Sequence, residues 1–379
     1  MPEPIYLDHN ATTPVLPEVL DAMLPYLRGK FGNPSSSHVC GRRARAAVEQ
    51  ARDQVAGLLG CDADEIIFTS GGTEANNLAI RGVTAHSSRR QIVVSAIEHP
   101  SVAVPVGWLA ANGWHVQRVA VDESGSARIA EIEAAVTTAT ALVTIGHSNG
   151  ETGVLQPLAE AVRRARRVDA YVHTDAAQSI GKVPVDVRAL DADLLTVAGH
   201  KLYAPQGVGA LYVRRGVKLE PLALGAGHER GLRAGTENVP AIVALGAACA
   251  FAQRDLQAES VRVHELRERF WSRLARDVAG ITLNGHRTER LPNTLNVRFP
   301  RVSGAALLAD TPEVAASTGS ACHEGTEKAS PVLLAMKIPV SEALESVRLT
   351  LGRSTTADEV DKAAAALVRS WRTLASGHI

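Results

Sequence analysis

From Arg42 to Leu59 the apolar residues Val48, Ala51, Val55, Leu58 and Leu59 return at helical spacing. Gly60 follows where a C-cap would end such a helix. Beyond it the pattern changes. Short apolar runs alternate with helical stretches: Glu65-Ile-Ile-Phe-Thr69, Gln91-Ile-Val-Val-Ser95, Ala141-Leu-Val-Thr-Ile145, Ala170-Tyr-Val-His-Thr174, Asp193-Leu-Leu-Thr-Val197 and Gly209-Ala-Leu-Tyr-Val213. Strands covered on both faces read as continuous apolar runs, so this alternation predicts an α/β domain with a mainly parallel sheet. After about Asn238 the pattern becomes long helix. The remainder, with strand-like Thr294-Leu-Asn-Val-Arg-Phe299, reads as a second, smaller α+β domain. There is no internal repeat or low-complexity linker.

The chain has 379 residues and is 45% hydrophobic, enough to bury a large core and to divide in two. Lys+Arg and Asp+Glu both total 40, so no global field draws polyanions or membranes, and direct nucleic-acid binding is disfavoured. The longest uncharged stretch, Val239 to Ala252, contains a proline and a glycine. It is too short to span a bilayer and reads as a buried helix. The basic run from Arg163 to Arg167 falls within a predicted helix after Pro157 and is expected on a solvated outer face. The first residues lack the basic start and apolar run of a secretion signal, which places the protein in the cytoplasm with reduced thiols. Cys40, Cys61, Cys249 and Cys322 are scattered with no Cys-x-x-Cys pair, so neither a zinc site nor a disulfide framework is expected.

Ligand sites in open α/β sheets collect beyond the carboxyl ends of the strands. The runs here end in Ser70-Gly-Gly-Thr-Glu74, Glu98-His99, Gly146-His-Ser-Asn-Gly-Glu151, Asp175 and Gly199-His-Lys201. Lys201 alone would be an ordinary surface residue, but a strand end facing a cleft gives a lysine the desolvation that a Schiff-base amine needs. Asp175 fits a helix N-cap. Paired with Lys201 it also fits a carboxylate that keeps a pyridine nitrogen protonated. The glycines of the segment from Ser70 to Glu74 let backbone N–H groups approach a phosphate at a helix N-terminus, with Thr73 adding a hydroxyl; a plain turn is the alternative. His99 reads either as a hydrogen-bonded structural residue or as a ring that stacks on a cofactor and relays protons. Cys322 lies in Ser317-Thr-Gly-Ser-Ala-Cys-His-Glu-Gly325, which lacks the apolar periodicity expected around a packed cysteine. Cys249 sits in an apolar helix and reads as buried, while Cys40 and Cys61 flank the first helix. Cys322 is therefore the thiol expected to be mobile and accessible.

Several motifs stand in order through nearly the whole chain: Tyr6-Leu-Asp-His-Asn-Ala-Thr-Thr-Pro14, Gly32-Asn-Pro-Ser-Ser-Ser-His38, Phe68-Thr-Ser-Gly-Gly-Thr-Glu-Ala-Asn-Asn77, Glu98-His99, His173-Thr-Asp-Ala-Ala-Gln-Ser179, Gly199-His-Lys201, Arg230-Gly-Leu-Arg-Ala-Gly-Thr236 and Val347-Arg-Leu-Thr-Leu-Gly-Arg353. Together they resemble cysteine desulfurases of the nitrogenase and iron-sulfur-assembly type, within the class V aminotransferases. The resemblance implies a fold-type-I transferase dependent on pyridoxal 5'-phosphate. Its large domain would cover 14–257 with a seven-stranded, mainly parallel sheet. A smaller domain would join 1–13 to 258–379 and carry a mobile cysteine loop at about 316–332.

By that resemblance Lys201 carries the cofactor, Asp175 pairs with the pyridinium nitrogen, Gln178 contacts the ring hydroxyl and His99 stacks on the ring. Gly72, Thr73 and His200 hold the phosphate, and Thr236 reaches the phosphate of a neighbouring subunit in a homodimer. Arg348 grips the carboxylate of L-cysteine, for which a bidentate guanidinium is well shaped. Lys201 then moves the Cα proton and the Cys322 thiolate takes the sulfur as a persulfide, destined for a protein acceptor in iron-sulfur assembly, tRNA thiolation or DNA phosphorothioation. Four departures predict modest cofactor affinity. Gly150 stands at the place of a cofactor-contacting Asn, leaving Asn149 as substitute for cofactor and substrate contacts. Ala198 stands at the place of a phosphate-binding Ser, His228 at that of a Gln, and His9 at that of an Asn. His323 replaces a small hydroxyl residue and reads either as a group that lowers the Cys322 pKa or as a solvent-facing histidine. The alternatives on the same scaffold are a selenocysteine lyase and a small-substrate aminotransferase; the alternative of another class is a non-catalytic docking partner.

Overall fold

A computed structural model describes residues 3–318 and 328–376. After a two-residue strand β1 (Ile5–Tyr6), the main sheet is built from β2 (Ile66–Thr69), β3 (Gln91–Ser95), β4 (His115–Val119), β5 (Thr140–Thr144), β6 (Tyr171–Asp175), β7 (Leu194–Ala198) and β8 (Gly209–Val213). Their spatial order is β2-β8-β7-β6-β5-β3-β4. Only β8 runs against its neighbours, so the carboxyl ends of the other six lie along one edge. The expected seven-stranded, mainly parallel sheet is what the chain forms. Every residue of β2, β3, β5, β7 and β8 is buried. Strand β4 escaped the sequence reading because it is an edge strand whose His115, Gln117 and Arg118 face solvent, leaving no apolar run to see.

Helices cover both faces. On one, Leu78, Ala79 and Val83 of the helix Gly72–Ala85 pack with Val102, Val106 and Leu109 over Ile67, Val94 and Leu142. On the other, the helix Val39–Leu59 lays Val48, Ala51, Val55 and Leu59 against Ile242, Leu245 and Cys249. Gly246 makes this crossing close: a Cβ there would stand 2.6 Å from Ala51 Cα. The Arg163–Arg167 cluster differs from expectation. Arg163 and Arg167 are exposed, but Arg164 binds the Val136 carbonyl at 2.6 Å and Arg166 pairs with buried Asp193 at 2.8 Å, stitching helix to sheet.

The helix Val239–Asp277 runs for 39 residues, far beyond the apolar stretch that announced it. Among the described residues it is the one helix long and apolar enough to cross a membrane, yet its apolar first half lies in the core just described. Its second half places Val263, Phe270 and Leu274 in a separate core with Leu7, Leu295, Val297, Val347 and Leu349. There β9 (Thr282–Leu283), β10 (Thr294–Arg298) and β12 (Ser346–Thr350) form an antiparallel sheet, and β11 (Val314–Ala315) pairs in parallel with β1. The amino-terminal segment is thereby drawn into this second core while its next residues cross the edge of the main sheet.

Candidate active site

One tight turn after β7, Gly199–Lys201, brings Lys201 to the edge where the parallel strands end. A Cβ on Gly199 would meet the Val208 carbonyl oxygen at 2.8 Å, so the turn needs glycine. Lys201 Nζ donates to the carbonyls of Asn10 at 2.5 Å and Ala11 at 2.7 Å. Burial, with Arg348 adding repulsion, pushes the amine down to about 8 against the opposing pull of Asp8 and Asp175. Such an amine reaches its neutral, nucleophilic form near physiological pH.

Asp175 ends β6. Its carboxylate accepts from Asn76 Nδ2 at 2.7 Å and from the Ala177 amide at 2.9 Å, and no cation pairs with it among the described residues. The same Asn76 amide donates to Ser101 Oγ at 2.8 Å, and Ser101 Oγ lies 2.7 Å from His99 Nδ1. The Ser101 amide also donates to that nitrogen, at 3.2 Å. Nδ1 is thus an acceptor, Ser101 Oγ its donor, and the imidazole proton sits on Nε2. Burial holds the His99 pKa below the usual histidine range, with Asp175 opposing and Lys201 assisting. His99 is therefore neutral at pH 7. Beneath Asp175, His173 is fully buried between Thr144 Oγ1 at 2.8 Å and Thr196 Oγ1 at 3.1 Å, and joins three strands. Asn76 and Ser101 were not singled out in the sequence. The available signal was a fully buried Asn among the apolar positions Ala75, Leu78 and Ala79.

The turn after β2 leads through Gly71, at φ 149°, into the helix Gly72–Ala85. A Cβ on Gly209 would fall 2.7 Å from Gly71 Cα, and one on Gly72 would fall 3.2 Å from Ala198 Cβ. Backbone thus crowds backbone at a helix N-terminus whose first N–H groups have no intrahelical partner. Thr73 is exposed at this end. Glu74 closes the turn by accepting from the Ser70 amide at 2.8 Å and from Arg233 at 3.0 Å. His200 contacts Thr12 Oγ1 at 3.2 Å and is pushed down to about 4 by burial, then by Lys201 and His99. Thr236 is exposed and shares no hydrogen bond with this cradle among the described residues.

Gln178 follows Asp175 by three residues, and its Nε2 donates to the Asn10 carbonyl at 2.9 Å, the oxygen that Lys201 also uses. Asn149 is engaged otherwise. Its Nδ2 donates to the Ile97 carbonyl at 3.2 Å, and its Oδ1 accepts from the Glu151 amide, the Thr152 amide and the Thr152 hydroxyl. The structure binds Asn149 into its own turn. Gly150 lies against Gln178, where a Cβ would stand 3.2 Å from Nε2.

Arg348, on β12, reaches the same edge from the second core. Its Nη2 donates to Asp8 Oδ1 at 2.7 Å and its Nη1 approaches the Gly150 carbonyl at 3.4 Å, while Nε is buried without a partner among the described residues. Ser317 exchanges backbone hydrogen bonds with Arg348 and places its hydroxyl 3.3 Å from Asp8 Oδ1. Ser330 donates to Glu151 at 2.5 Å. Cys322 and His323 lie outside the described residues. Burial pushes the thiols of Cys249 and Cys61 up to about 12, which keeps both protonated. No cluster of metal-ligating side chains occurs among the described residues.

The aminotransferase class-V family model matches residues 5–363. Cysteine desulfurase 2 of Trichormus variabilis is 46% identical over 361 residues, covering 94% of this chain and 90% of the relative. Cysteine desulfurase IscS of Dictyoglomus turgidum is 42% identical, covering 95% and 93%. Among solved structures, a NifS-like protein superposes with a TM-score of 0.92 at 34% identity over 98% of this chain and 100% of its own. SspA in complex with cysteine superposes with a TM-score of 0.81 at 35% identity over 91% and 98%. The chain belongs to the class-V aminotransferase family, in its cysteine desulfurase branch, whose members work with pyridoxal phosphate.

Proposed function

We propose that this chain is an L-cysteine desulfurase that holds pyridoxal 5'-phosphate on Lys201 and takes substrate sulfur as a persulfide on Cys322. The observation that carries the reading is the convergence of three groups at one sheet edge. Lys201 has an amine pushed down to about 8, Asp175 a carboxylate with no cation partner among the described residues, and His99 a neutral ring. These fit the cofactor. Asp175 matches a protonated pyridine nitrogen, the helix N-terminus at Gly72 and Thr73 with neutral His200 matches a phosphate, and Gln178 matches the ring oxygen. When bound, the cofactor supplies an electron sink for charge formed at the substrate Cα.

The chain's own groups do the rest. Arg348 grips the substrate carboxylate. Lys201 Nζ would take the proton from the substrate Cα. Cys322 thiolate bonds to the substrate sulfur as the carbon–sulfur bond breaks. Cysteine plus a thiol gives alanine plus a persulfide, so the atoms balance without an external oxidant. Thr236, exposed and apart from the cradle, is suited to the phosphate of a neighbouring subunit in a homodimer. The division into 14–257 and 1–13 with 258–379 is supported by the two halves of the helix Val239–Asp277 lying in different cores.

Mass spectrometry after exposure to L-cysteine tests the proposal. One added sulfur on the Cys322 peptide is expected, with alanine released. Lys201→Ala should abolish both, and Cys322→Ala should abolish alanine release while retaining the cofactor's colour. Alanine release from Cys322→Ala at the unmodified rate would reject Cys322 as the acceptor.

A further inference from the structure

Four residues beyond Gln178, a second lysine turns its ammonium toward the same cluster. Lys182 Nζ donates to Gln178 Oε1 at 3.0 Å and to Asn10 Oδ1 at 3.0 Å. Both partners are neutral oxygens, and no carboxylate forms an ion pair with it among the described residues. Its neighbouring charges, Lys201 and Arg348, have the same sign, and burial together with them pushes the amine down to about 7. Isolated buried cations are unfavourable, so the arrangement calls for a reason in what the ammonium does.

An ammonium has three donors and no acceptor, whereas a glutamine amide has one face of each kind. In its charged form Lys182 offers Gln178 only donors, and the face Gln178 turns toward it is the oxygen. That leaves Nε2 on the other side, donating at 2.9 Å to the Asn10 carbonyl that also receives Lys201. Asn10 is held in turn by Asn293, Thr294 and Gly150, so the acceptor shared by Lys201 and Gln178 is itself fixed. With Lys182 absent, the amide oxygen would lose the donor it has here, and the Asn10 carbonyl alone would favour this orientation.

We propose that Lys182 is a positioning residue that sets the amide polarity of Gln178, so that a hydrogen-bond donor, never an acceptor, faces the ring oxygen of the cofactor beside Lys201. The inference rests on the cofactor reading given above. It extends that reading to a residue that acts through its hydrogen bonds to Gln178 and to the Asn10 side chain.

The test is a thermodynamic cycle on cofactor binding. The full-length protein, stripped of cofactor, is titrated with pyridoxal phosphate as the unmodified chain, Lys182→Met, Gln178→Ala and the double variant. Loss of one hydrogen bond to a charged oxygen corresponds to about tenfold weaker binding. Lys182→Met should show that loss and the same displacement of the cofactor's visible absorption band as Gln178→Ala. The double variant should bind within about twofold of Gln178→Ala, because the two changes remove one interaction. Multiplying losses, or Lys182→Met binding like the unmodified chain, would overturn the proposal. Should Lys182→Met not fold, Gln178→Glu carries the test, since it keeps an acceptor toward Lys182 and removes the donor. Tight binding by Gln178→Glu overturns the inference. An unmodified chain that binds no pyridoxal phosphate would instead reject the functional reading and the inference with it.

Discussion

The guanidinium of Arg348 is held by Asp8, 2.7 Å away across 340 residues of chain. Asp8 lies just past β1, inside the segment that also delivers the Asn10 and Ala11 carbonyls to Lys201. One edge of Arg348 is thereby anchored. Nη1 makes only a long contact, 3.4 Å, with the Gly150 carbonyl, and Nε is buried without a partner among the described residues.

Asp8→Asn removes the charge while keeping the shape, so the first prediction concerns substrate binding. An unanchored guanidinium loses orientation before it loses charge. KM for L-cysteine should rise about tenfold, corresponding to about 1.4 kcal/mol, with kcat within about twofold. Initial rates of alanine formation measure both constants. A KM that falls would show Asp8 to be a competitor for Arg348 and not its anchor.

The second prediction concerns Asn76, whose single amide group serves Asp175 and Ser101 at once. Asn76→Ala leaves a carboxylate oxygen and a hydroxyl short of a donor in a buried place, a loss of about 1–3 kcal/mol. Asn76→Asp sets a second carboxylate against Asp175. Both variants should melt below the unmodified chain, and Asn76→Asp should bind pyridoxal phosphate less tightly than Asn76→Ala. Equal affinities would mean that the charge of Asp175 plays no part in holding the cofactor.

These two relationships show where sequence was readable and where it was not. Lys201, Asp175 and His99 stand at the ends of apolar runs, and a strand that ends in a polar residue announces a site directly. Strand β4 carried no such signal, because an edge strand alternates with solvent and reads as polar. Asn76 was hidden inside a helix, Lys182 stood in no recognised motif, and Asp8 meets Arg348 only through the fold. Asn149 shows the opposite limit. Its place in the sequence suits a ligand contact, but the turn from Ser148 to Leu155 needs its side chain to satisfy three donors. Local patterning reports burial and strand ends; it does not report which buried polar atoms have already been claimed.

A third prediction concerns the loop that carries Thr236. Glu229 is buried and accepts from Arg52 at 2.7 and 2.8 Å and from the Phe68 amide at 2.7 Å. Glu229 and Arg230 both hold positive φ, 45° and 57°, which side-chain-bearing residues rarely adopt. The ion pair thus keeps a strained turn in place. Glu229→Ala leaves the buried Arg52 with only Glu49, at 3.2 Å, and the Ile66 carbonyl, at 2.9 Å, so the loss should fall at or below the about 3–5 kcal/mol typical of breaking a buried pair. Urea unfolding should show a midpoint lowered accordingly, with Glu229→Gln intermediate because it retains acceptor and shape. A loss under about 1 kcal/mol for Glu229→Ala would show that the turn holds without the pair.

The fourth prediction works out the pH dependence that Lys201 imposes on the cofactor-free protein. Its amine is pushed down to about 8 in the folded chain, whereas a lysine in an unfolded chain titrates near about 10.4. Between those values the unfolded state binds more protons than the folded one, so the contribution of this residue to stability rises with pH through that window. Below about 8 both states are protonated and the full burden of the buried charge is felt. Its upper bound is about 3 kcal/mol, reduced by partial solvent access. Raised groups such as Cys249 act with the opposite sign, but they are shared with Lys201→Met and cancel in the difference between the two proteins. Lys182 does not cancel fully. Without Lys201 its own depression lessens, which steepens the difference in the same direction. Lys201→Met should therefore exceed the unmodified apoprotein in unfolding free energy at pH 7, and the gap should narrow as pH approaches about 10.5. Paired urea titrations at the two pH values measure it; a gap that is constant or widens would show that Lys201 is not held at a depressed pKa.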